Sequence, residues 1–129
     1  DLLTDVETRI TSSMSATQSH IDIYGDKIVW QNYTSDYDIY LYSISTGQEK
    51  RLTTNMKSQA WPAIYGDKVV WEDYRTGEPD IYLYDIPTGQ KTQITSNTAN
   101  QRFPDIYGNK IVWYDYRNGN CDIYMYKLC

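Results

Sequence analysis

The sequence predicts an all-β protein, a β-propeller whose blades are four-stranded antiparallel sheets. A phrase of about 42 residues occurs three times in the 129-residue chain. Its clearest part reads Ile-Tyr-Gly-Asp-Lys, then two apolar residues and Trp, at 23–30, 64–71 and, with Asn for Asp, 106–113. A repeat of this period built from strand-forming residues is typical of propeller blades. No segment has the apolar spacing that predicts a helix.

Each repeat contains four predicted strands, and the middle copy shows them most clearly. Strand a covers about 60–65, strand b 68–73, strand c 80–85 and strand d 90–95. The pair Gly66-Asp67 between strands a and b predicts a tight turn, because Gly tolerates a positive φ. Strands b and c are apolar or aromatic at nearly every position, which indicates sheets covered on both faces. The tryptophans that all copies share are therefore predicted to lie in the core: Trp30, Trp71 and Trp113.

The chain is interpreted as one half-propeller domain, 1–129, with three blades. The blades cover approximately 20–53, 60–95 and 102–127. The third copy lacks a strand d, and Val6–Thr11, which matches strand d of the other copies, is predicted to close a third blade. Three blades are too few for a ring, and an open stack exposes two apolar faces. We therefore expect a six-bladed homodimer in which each chain lends its first strand to the other; the alternative is a piece of a longer array.

Composition and charge exclude some classes of function. The net charge is −5, which argues against nucleic-acid binding because such proteins carry a basic surface. No apolar run approaches the roughly 20 residues that span a membrane, so no membrane span is expected. Cys121 and Cys129 bracket one predicted strand of roughly 26 Å, too long for a disulfide between them. Each cysteine is expected to be free or to pair with another chain.

A family resemblance is carried by the segment from Trp71 to Asp85, which reads WEDYRTGEPDIYLYD, followed by Gln93-Ile94-Thr95. It resembles the TolB-like β-propeller repeat, whose hairpin reads F-x-S-D-R-x-G-x-x-[DQ]-I-Y and whose last strand ends in [RQ]-L-T. The resemblance covers essentially the whole chain, although the first copy has a shorter hairpin, 33–37, without the Arg and Gly. It implies a six- or seven-bladed propeller, usually non-catalytic, often extracytoplasmic, that binds other macromolecules. The phrase IYGDKIVW resembles repeats of archaeal and bacterial cell-surface proteins, so a cell-surface or secreted location is expected.

Candidate binding residues come from the connections that differ between the copies. The d–a and b–c connections vary and are expected on the same face of the disc, and loops on a rigid scaffold commonly carry binding residues; alternatively, they diverge because nothing constrains them. The candidates are His20, Gln59, Trp61, Gln101, Arg102, Phe103, Arg75 and Arg117. Equivalent positions at the start of strand a hold His20, Trp61 and Phe103. They form either an aromatic ring at the mouth of the channel or the packing between blades.

Neither a metal site nor a catalytic site is predicted. Aspartates at the b–c hairpins, such as Asp73 and Asp80, could contribute to Ca²⁺ binding, but each hairpin supplies two carboxylates where the ion requires six to eight oxygens. They are expected instead to accept hydrogen bonds from turn amides or to pair with Arg75 and Arg117. The chain has one His and no nucleophile–base spacing. We therefore expect no enzyme activity and no cofactor.

The function predicted from the sequence is a non-catalytic extracytoplasmic scaffold that binds a protein or glycan partner through the face carrying the d–a and b–c loops. Two alternatives stay open. One is a lectin that stacks sugars on its Tyr and Trp residues; the other is a propeller module severed from a hydrolase. The triplet Asn32-Tyr33-Thr34 matches a glycosylation sequon and is predicted on an exposed hairpin.

Overall fold

The computed structural model describes residues 5–12 and 15–129. Within these residues every regular element is a β-strand, and all pairings are antiparallel. The strands are β1 Thr17–Tyr24, β2 Lys27–Tyr33, β3 Tyr37–Ser43, β4 Gln48–Arg51, β5 Gln59–Tyr65, β6 Lys68–Asp73, β7 Asp80–Asp85, β8 Gln90–Gln93, β9 Gln101–Tyr107, β10 Lys110–Asp115 and β11 Asp122–Lys127. The all-β prediction is confirmed.

The strands form three sheets in chain order, here called blades 1, 2 and 3. Blade 1 is β1-β2-β3-β4, blade 2 is β5-β6-β7-β8, and blade 3 is β9-β10-β11. The first strands of neighbouring blades contact each other, β1 with β5 and β5 with β9, so the blades radiate from a common inner edge. In blade 2, strands b and c lie where the sequence predicted them. Gly66 adopts a φ of 59° in the a–b turn, a conformation that favours glycine.

The core consists of the layers between blades. Val29, Ile39 and Trp71 are among the buried residues between blades 1 and 2, and Ile81 and Trp113 lie between blades 2 and 3. A blade therefore buries both faces of strands b and c only if it has a neighbouring blade on each side. Blade 2 meets this condition. The prediction that the three repeated tryptophans are core residues is confirmed.

The same pair of polar residues, Asp and Thr, connects strands c and d in blades 1 and 2. Thr53 Oγ1 accepts a hydrogen bond from Ile39 N at 2.9 Å and donates to Asp38 Oδ1 at 3.1 Å. Thr95 makes the same two contacts with Ile81 N and the carboxylate of Asp80. The terminal Thr of the repeated phrase thus fixes the outermost strand to its neighbour.

The strand predicted at Val6–Thr11 is not formed in the single chain, and its pairing with a second chain stays a prediction. Among the described residues, 5–12 contain no strand, Val6 is 84% exposed, and β11 pairs only with β10. A strand requires a partner edge for its backbone groups. The edge expected for this segment belongs to a second chain, so blade 3 has three strands here.

The burial of Asn32 contradicts the prediction that its glycosylation sequon lies on an exposed hairpin. Asn32 lies on β2, is 9% exposed, and its Oδ1 accepts a hydrogen bond from Gln18 Nε2 at 2.9 Å. Asn32 occupies the position of Asp73 and Asp115, whose side chains also point into the blade, which is why the repeat buries it. Cys121 and Cys129 are exposed and form no disulfide with each other. In the described part of the chain there is no helix of the length and hydrophobicity that crosses a membrane.

Candidate functional site

A β-bulge interrupts the first strand of each blade at the same position. The residue at the bulge is His20, Trp61 or Phe103, with φ values of 51°, 55° and 54°. This left-handed conformation is costly for any residue with a side chain and commonly marks functional positions. A bulge also changes the direction of the side chain that it carries. The sequence identified these three positions as equivalent, but it gave no indication of their backbone conformation.

The three bulge residues form a continuous series of aromatic contacts near the inner edge. The ring centroids of His20 and Trp61 are 3.8 Å apart, and those of Trp61 and Phe103 are 4.6 Å apart in an edge-to-face arrangement. Phe103 also contacts Tyr114 of its own blade at 5.6 Å. These rings are part of the packing between blades. His20 and Trp61 also line an open cleft; a ring of aromatic residues at the mouth of a channel stays a prediction.

Each bulge is held by a polar residue of the preceding blade. Trp61 N donates to Gln31 Oε1 at 2.8 Å, and Phe103 N donates to Glu72 Oε2 at 3.0 Å. Gln31 and Glu72 follow the repeated Trp on strand b and are buried. Sequence reasoning missed both residues. The available signal was a polar residue inside an otherwise apolar strand, because a buried polar group requires a partner.

Glu72 is the most enclosed charge at this site. Its side chain is fully buried, and Oε1 accepts hydrogen bonds from the hydroxyl of Tyr74 at 2.8 Å and from Arg102 Nη2 at 3.3 Å. Burial and the bond to this carboxylate raise the pKa of Tyr74 to about 12. With Phe103 N as a third donor, the carboxylate is satisfied and serves as a joint between blades 2 and 3.

An open cleft of about 540 Å³ lies where these elements meet the loops, and we call it the loop-face cleft. The d–a connection contributes Lys57 and Ser58, and the b–c hairpins contribute Tyr37 and Tyr74. Tyr74 N donates to Ser58 O at 3.0 Å, so the two kinds of connection lie on the same face. The remaining lining residues are His20, Gln31, Ala60, Trp61, Glu72, Gly77 and Arg102. The cleft offers aromatic surface together with the cationic groups of Lys57 and Arg102.

Not all of the candidate residues face the cleft. Gln59 and Gln101 are fully buried at the start of strand a, and Gln59 Nε2 donates to Lys57 O at 2.6 Å. Gln59 thereby supports the d–a connection from inside, whereas the buried amide of Gln101 has no hydrogen-bond partner among the described residues, and neither side chain is open to a ligand. Phe103 lies beside the cleft, under the guanidinium of Arg102, whose carbon is 4.5 Å from the ring centre. Of the candidate set, His20, Trp61 and Arg102 line the loop-face cleft.

Arg75 and Arg117 stabilise their own hairpins. The backbone N and Nε of Arg75 both donate to Asp73 Oδ1, Nη2 donates to Asp73 Oδ2 at 2.7 Å, and the guanidinium covers the ring of Tyr82. Arg117 repeats these contacts with Asp115. Burial alone would raise the pKa of Asp115, but the hydrogen bonds from Arg117 and Trp113 outweigh it and lower the pKa to about 2. The predicted pairing of these arginines with hairpin aspartates is confirmed. Neither arginine lines the loop-face cleft.

Comparison with known proteins identifies the fold. No protein-family model and no curated protein matches the sequence. Among solved structures, the chain is similar to a putative TolB from Agrobacterium tumefaciens, with a TM-score of 0.74 and 19% identity over 92% of this chain and 47% of that one. TolB from Acinetobacter baumannii gives 0.74 and 22% over 92% and 31%. The chain has the TolB-like propeller fold. It spans less than half the length of either protein.

A third similar structure is the β-propeller domain of the Trilobed protease from Pyrococcus furiosus, described as having an open velcro topology. Its TM-score is 0.63, with 11% identity over 91% of this chain and 44% of that one. The resemblance to TolB-like repeats noted from the sequence is thereby confirmed at the level of the fold. Propellers of this shape occur both in TolB and within a protease, so the fold is compatible with more than one function.

Proposed function

We propose that this chain is a non-catalytic extracytoplasmic scaffold, located at the cell surface or secreted, that binds a protein or glycan partner at the loop-face cleft. The observation that carries the proposal is the aromatic pair His20 and Trp61, held in a strained backbone at the mouth of an open cleft. Rigid aromatic side chains bind flat sugar faces and extended peptides with little loss of conformational entropy. Lys57 and Arg102 add hydrogen-bond donors at the edge.

The polar groups of the cleft favour binding over catalysis. Glu72 accepts hydrogen bonds from three donors, which leaves it poorly suited to act as a general base. The imidazole of His20 contacts the ring of Trp61, and among the described residues no hydrogen bond joins it to an acid or a hydroxyl. A nucleophile–base pair needs such a bond. The cell-surface location is supported by the resemblance of the IYGDKIVW phrase to surface-protein repeats.

The binding proposal is tested with arrays and a matched pair of lysine variants. The full chain would be applied to a glycan array and to an array of peptides from cell-envelope proteins of the source organism. We expect Trp61→Ala and Lys57→Ala each to raise the dissociation constant of any captured ligand by about tenfold, because each removes one aromatic or charged contact. Lys91→Ala, on the outer strand β8, is the control. The proposal would be contradicted if the chain bound nothing on either array, or if Trp61→Ala left the affinity for a captured ligand unchanged.

The scaffold is further proposed to be a six-bladed homodimer. Its support is the apolar surface that blade 3 leaves exposed: Ile123 is 65% exposed, whereas its equivalents Ile39 and Ile81 are fully buried. On the opposite side of the molecule, Ile21 and Ile23 of blade 1 are exposed as well. Size-exclusion chromatography coupled to light scattering is expected to give a molar mass twice the 15.1 kDa of one chain. A monomer at all concentrations would contradict the homodimer, and neighbouring blades of a longer array would then cover these faces.

A second candidate function is a propeller module of a hydrolase, favoured by the similarity to the propeller domain of the Trilobed protease. Under this alternative the cleft would face a catalytic domain encoded beside the present sequence. Sequencing the flanking genomic region distinguishes the two proposals, because the hydrolase alternative requires a hydrolase domain in the same reading frame. A lectin, the remaining alternative, is tested by the glycan arm of the array.

A further inference from the structure

We propose that Arg9 and Thr11 form a latch on the open edge of β11 in a second copy of the chain, with Asp122 and Ile123 as their partners. The inference rests on the homodimer proposed above and names the atoms that hold it closed. Its basis is a set of hydrogen bonds between strands c and d, here called the contact set. Blade 1 makes all of these bonds and blade 2 makes most of them, whereas blade 3 makes none among the described residues.

Blade 1 shows the complete contact set. Leu52 N donates to Ile39 O at 2.7 Å, and Ile39 N donates to Thr53 Oγ1, so strand d is paired to strand c through Ile39. Asp38 accepts from Thr53 Oγ1 and, at 2.7 Å, from Arg51 Nη2. Arg51 Nε also donates to Thr53 O at 2.8 Å, which fixes the guanidinium toward the aspartate.

Blade 2 makes the same backbone and hydroxyl contacts. Ile94 N donates to Ile81 O at 2.7 Å, and Thr95 Oγ1 bonds both Ile81 N and Asp80. Gln93 replaces the arginine, and its Nε2 still donates to Thr95 O at 2.8 Å. The contact set therefore belongs to the repeat and does not depend on one blade.

In blade 3 the receiving half of this contact set is unoccupied within residues 5–12 and 15–129. Tyr114 and Asp115 pair with Ile123 and Asp122 in the register that Glu72 and Asp73 keep with Ile81 and Asp80. The backbone N and O of Ile123 consequently face the open edge, as those of Ile81 face strand d. Asp122 is exposed and accepts only a long 3.4 Å bond, from Asn118 Nδ2 of its own hairpin, among the described residues.

The donating half is present in the segment before β1. Arg9-Ile10-Thr11 repeats Arg51-Leu52-Thr53, and Arg9 Nε donates to Thr11 O at 2.7 Å, the contact that orients Arg51. Arg9 thus already makes the contact that orients Arg51 in blade 1, while Thr11 Oγ1 donates a long 3.4 Å bond to Gln18 Oε1 that the latch would exchange for one to Asp122. Preorganisation of this kind lowers the entropic cost of association.

The order of the repeat indicates which sheet receives this segment. In both internal junctions, strand d of one blade leads directly into strand a of the next, so a strand before β1 belongs to the blade on the open side of β1. A second copy presents such a blade: its blade 3 would cover Ile21 and Ile23, and the new interface would repeat those between blades 1, 2 and 3. Two equal interfaces close a symmetric ring without leaving an open end.

Charge reversal in two chains tests the latch. Arg9→Glu places two acids together at each latch, and Asp122→Arg places two arginines together; we expect each variant alone to raise the dimer dissociation constant by about tenfold or more. In an equimolar mixture, each latch of a mixed dimer contains one acid and one arginine. Native mass spectrometry, with one chain isotopically labelled, should therefore show mixed dimers at near wild-type affinity.

Matched controls separate the latch from general charge effects. Lys91→Glu and Glu78→Arg make the same charge changes at exposed positions of blade 2 and should leave the dissociation constant unchanged. Circular dichroism checks that the variant chains remain folded. A second variant, Thr11→Val, removes the hydroxyl and is expected to weaken the dimer several-fold, since Ile123 N then lacks its acceptor.

The outcomes are distinct for the latch and for the homodimer. A wild-type chain that stays monomeric overturns both. A wild-type dimer that Arg9→Glu does not weaken overturns the latch and leaves the homodimer standing. Two weakened variants that do not form mixed dimers also overturn the latch, because Arg9 and Asp122 then do not meet between chains.

Discussion

Blades 2 and 3 share nearly the same sequence phrase but differ in how much of it they bury. Ile81 is fully buried between two sheets, whereas Ile123, at the same position of the repeat, is 65% exposed. Glu72 is enclosed by three donors, whereas Tyr114 at the equivalent position is exposed. The strands themselves are alike, so the difference comes from the neighbour. A repeat specifies a blade, and stacking specifies the core.

The largest effect is expected at Glu72. Glu72→Ala leaves Phe103 N, the Tyr74 hydroxyl and Arg102 without their shared acceptor, and we expect it to lower the free energy of unfolding by about 3–5 kcal/mol. Glu72→Gln should cost less, because Gln31 performs the same role for Trp61 as a neutral side chain. Urea denaturation measures both. Tyr114→Ala is the control in blade 3, and an equal cost there would contradict the contrast between blades.

The second effect compares the two isoleucines. Ile81→Ala opens a cavity in a packed layer and is expected to cost about 2–5 kcal/mol. Ile123→Ala in dilute, monomeric protein should change stability by no more than about 0.5 kcal/mol, as exposed substitutions do. At concentrations where the dimer forms, Ile123→Ala should become costly. Thermal denaturation over a concentration series provides the measurement, and a cost for Ile123 that is large and independent of concentration would contradict the assignment.

The smallest effect concerns pH and compares two aspartates. The pKa of Asp115 is lowered from 3.8 to about 2, so its contribution to stability is full above pH 3.8 and is lost as the pH falls toward 2. Burial raises the pKa of Asp80, so its ionisation opposes folding as the pH rises above 3.8. Asp115→Asn should therefore flatten the loss of stability between pH 4 and 2, measured by urea denaturation at each pH. Asp80→Asn should not flatten it, and an identical profile for the two variants would contradict this reasoning.

The sequence was sufficient to predict strands b and c, the turns and the core tryptophans. Gly66 requires its turn because few other residues adopt its φ, and the unbroken apolar run of strand b can be satisfied only between two sheets. The pairing of Arg75 with Asp73 was also predictable, since the residues are two positions apart in a hairpin. Such features depend on residues that are near each other in the chain.

The candidate site was predicted less completely. Gln59 and Gln101 belong to a variable connection, where the sequence predicts surface residues, but both lie at the start of strand a and are buried. Asn32 was placed on an exposed hairpin, yet the strand carries it into the blade. In both cases one residue of register decides between the surface and the interior.

By itself, the sequence determined three blades of known strand order, because turn and strand preferences act over a few residues. The tertiary structure alone decided that Gln31 and Glu72 hold the bulges of the following blade, that His20 and Trp61 share a cleft, and that Val6–Thr11 lacks an edge to pair with in one chain. These features join residues about 30 positions apart or on separate blades. Their energies come from contact and burial, which exist only once the blades are stacked.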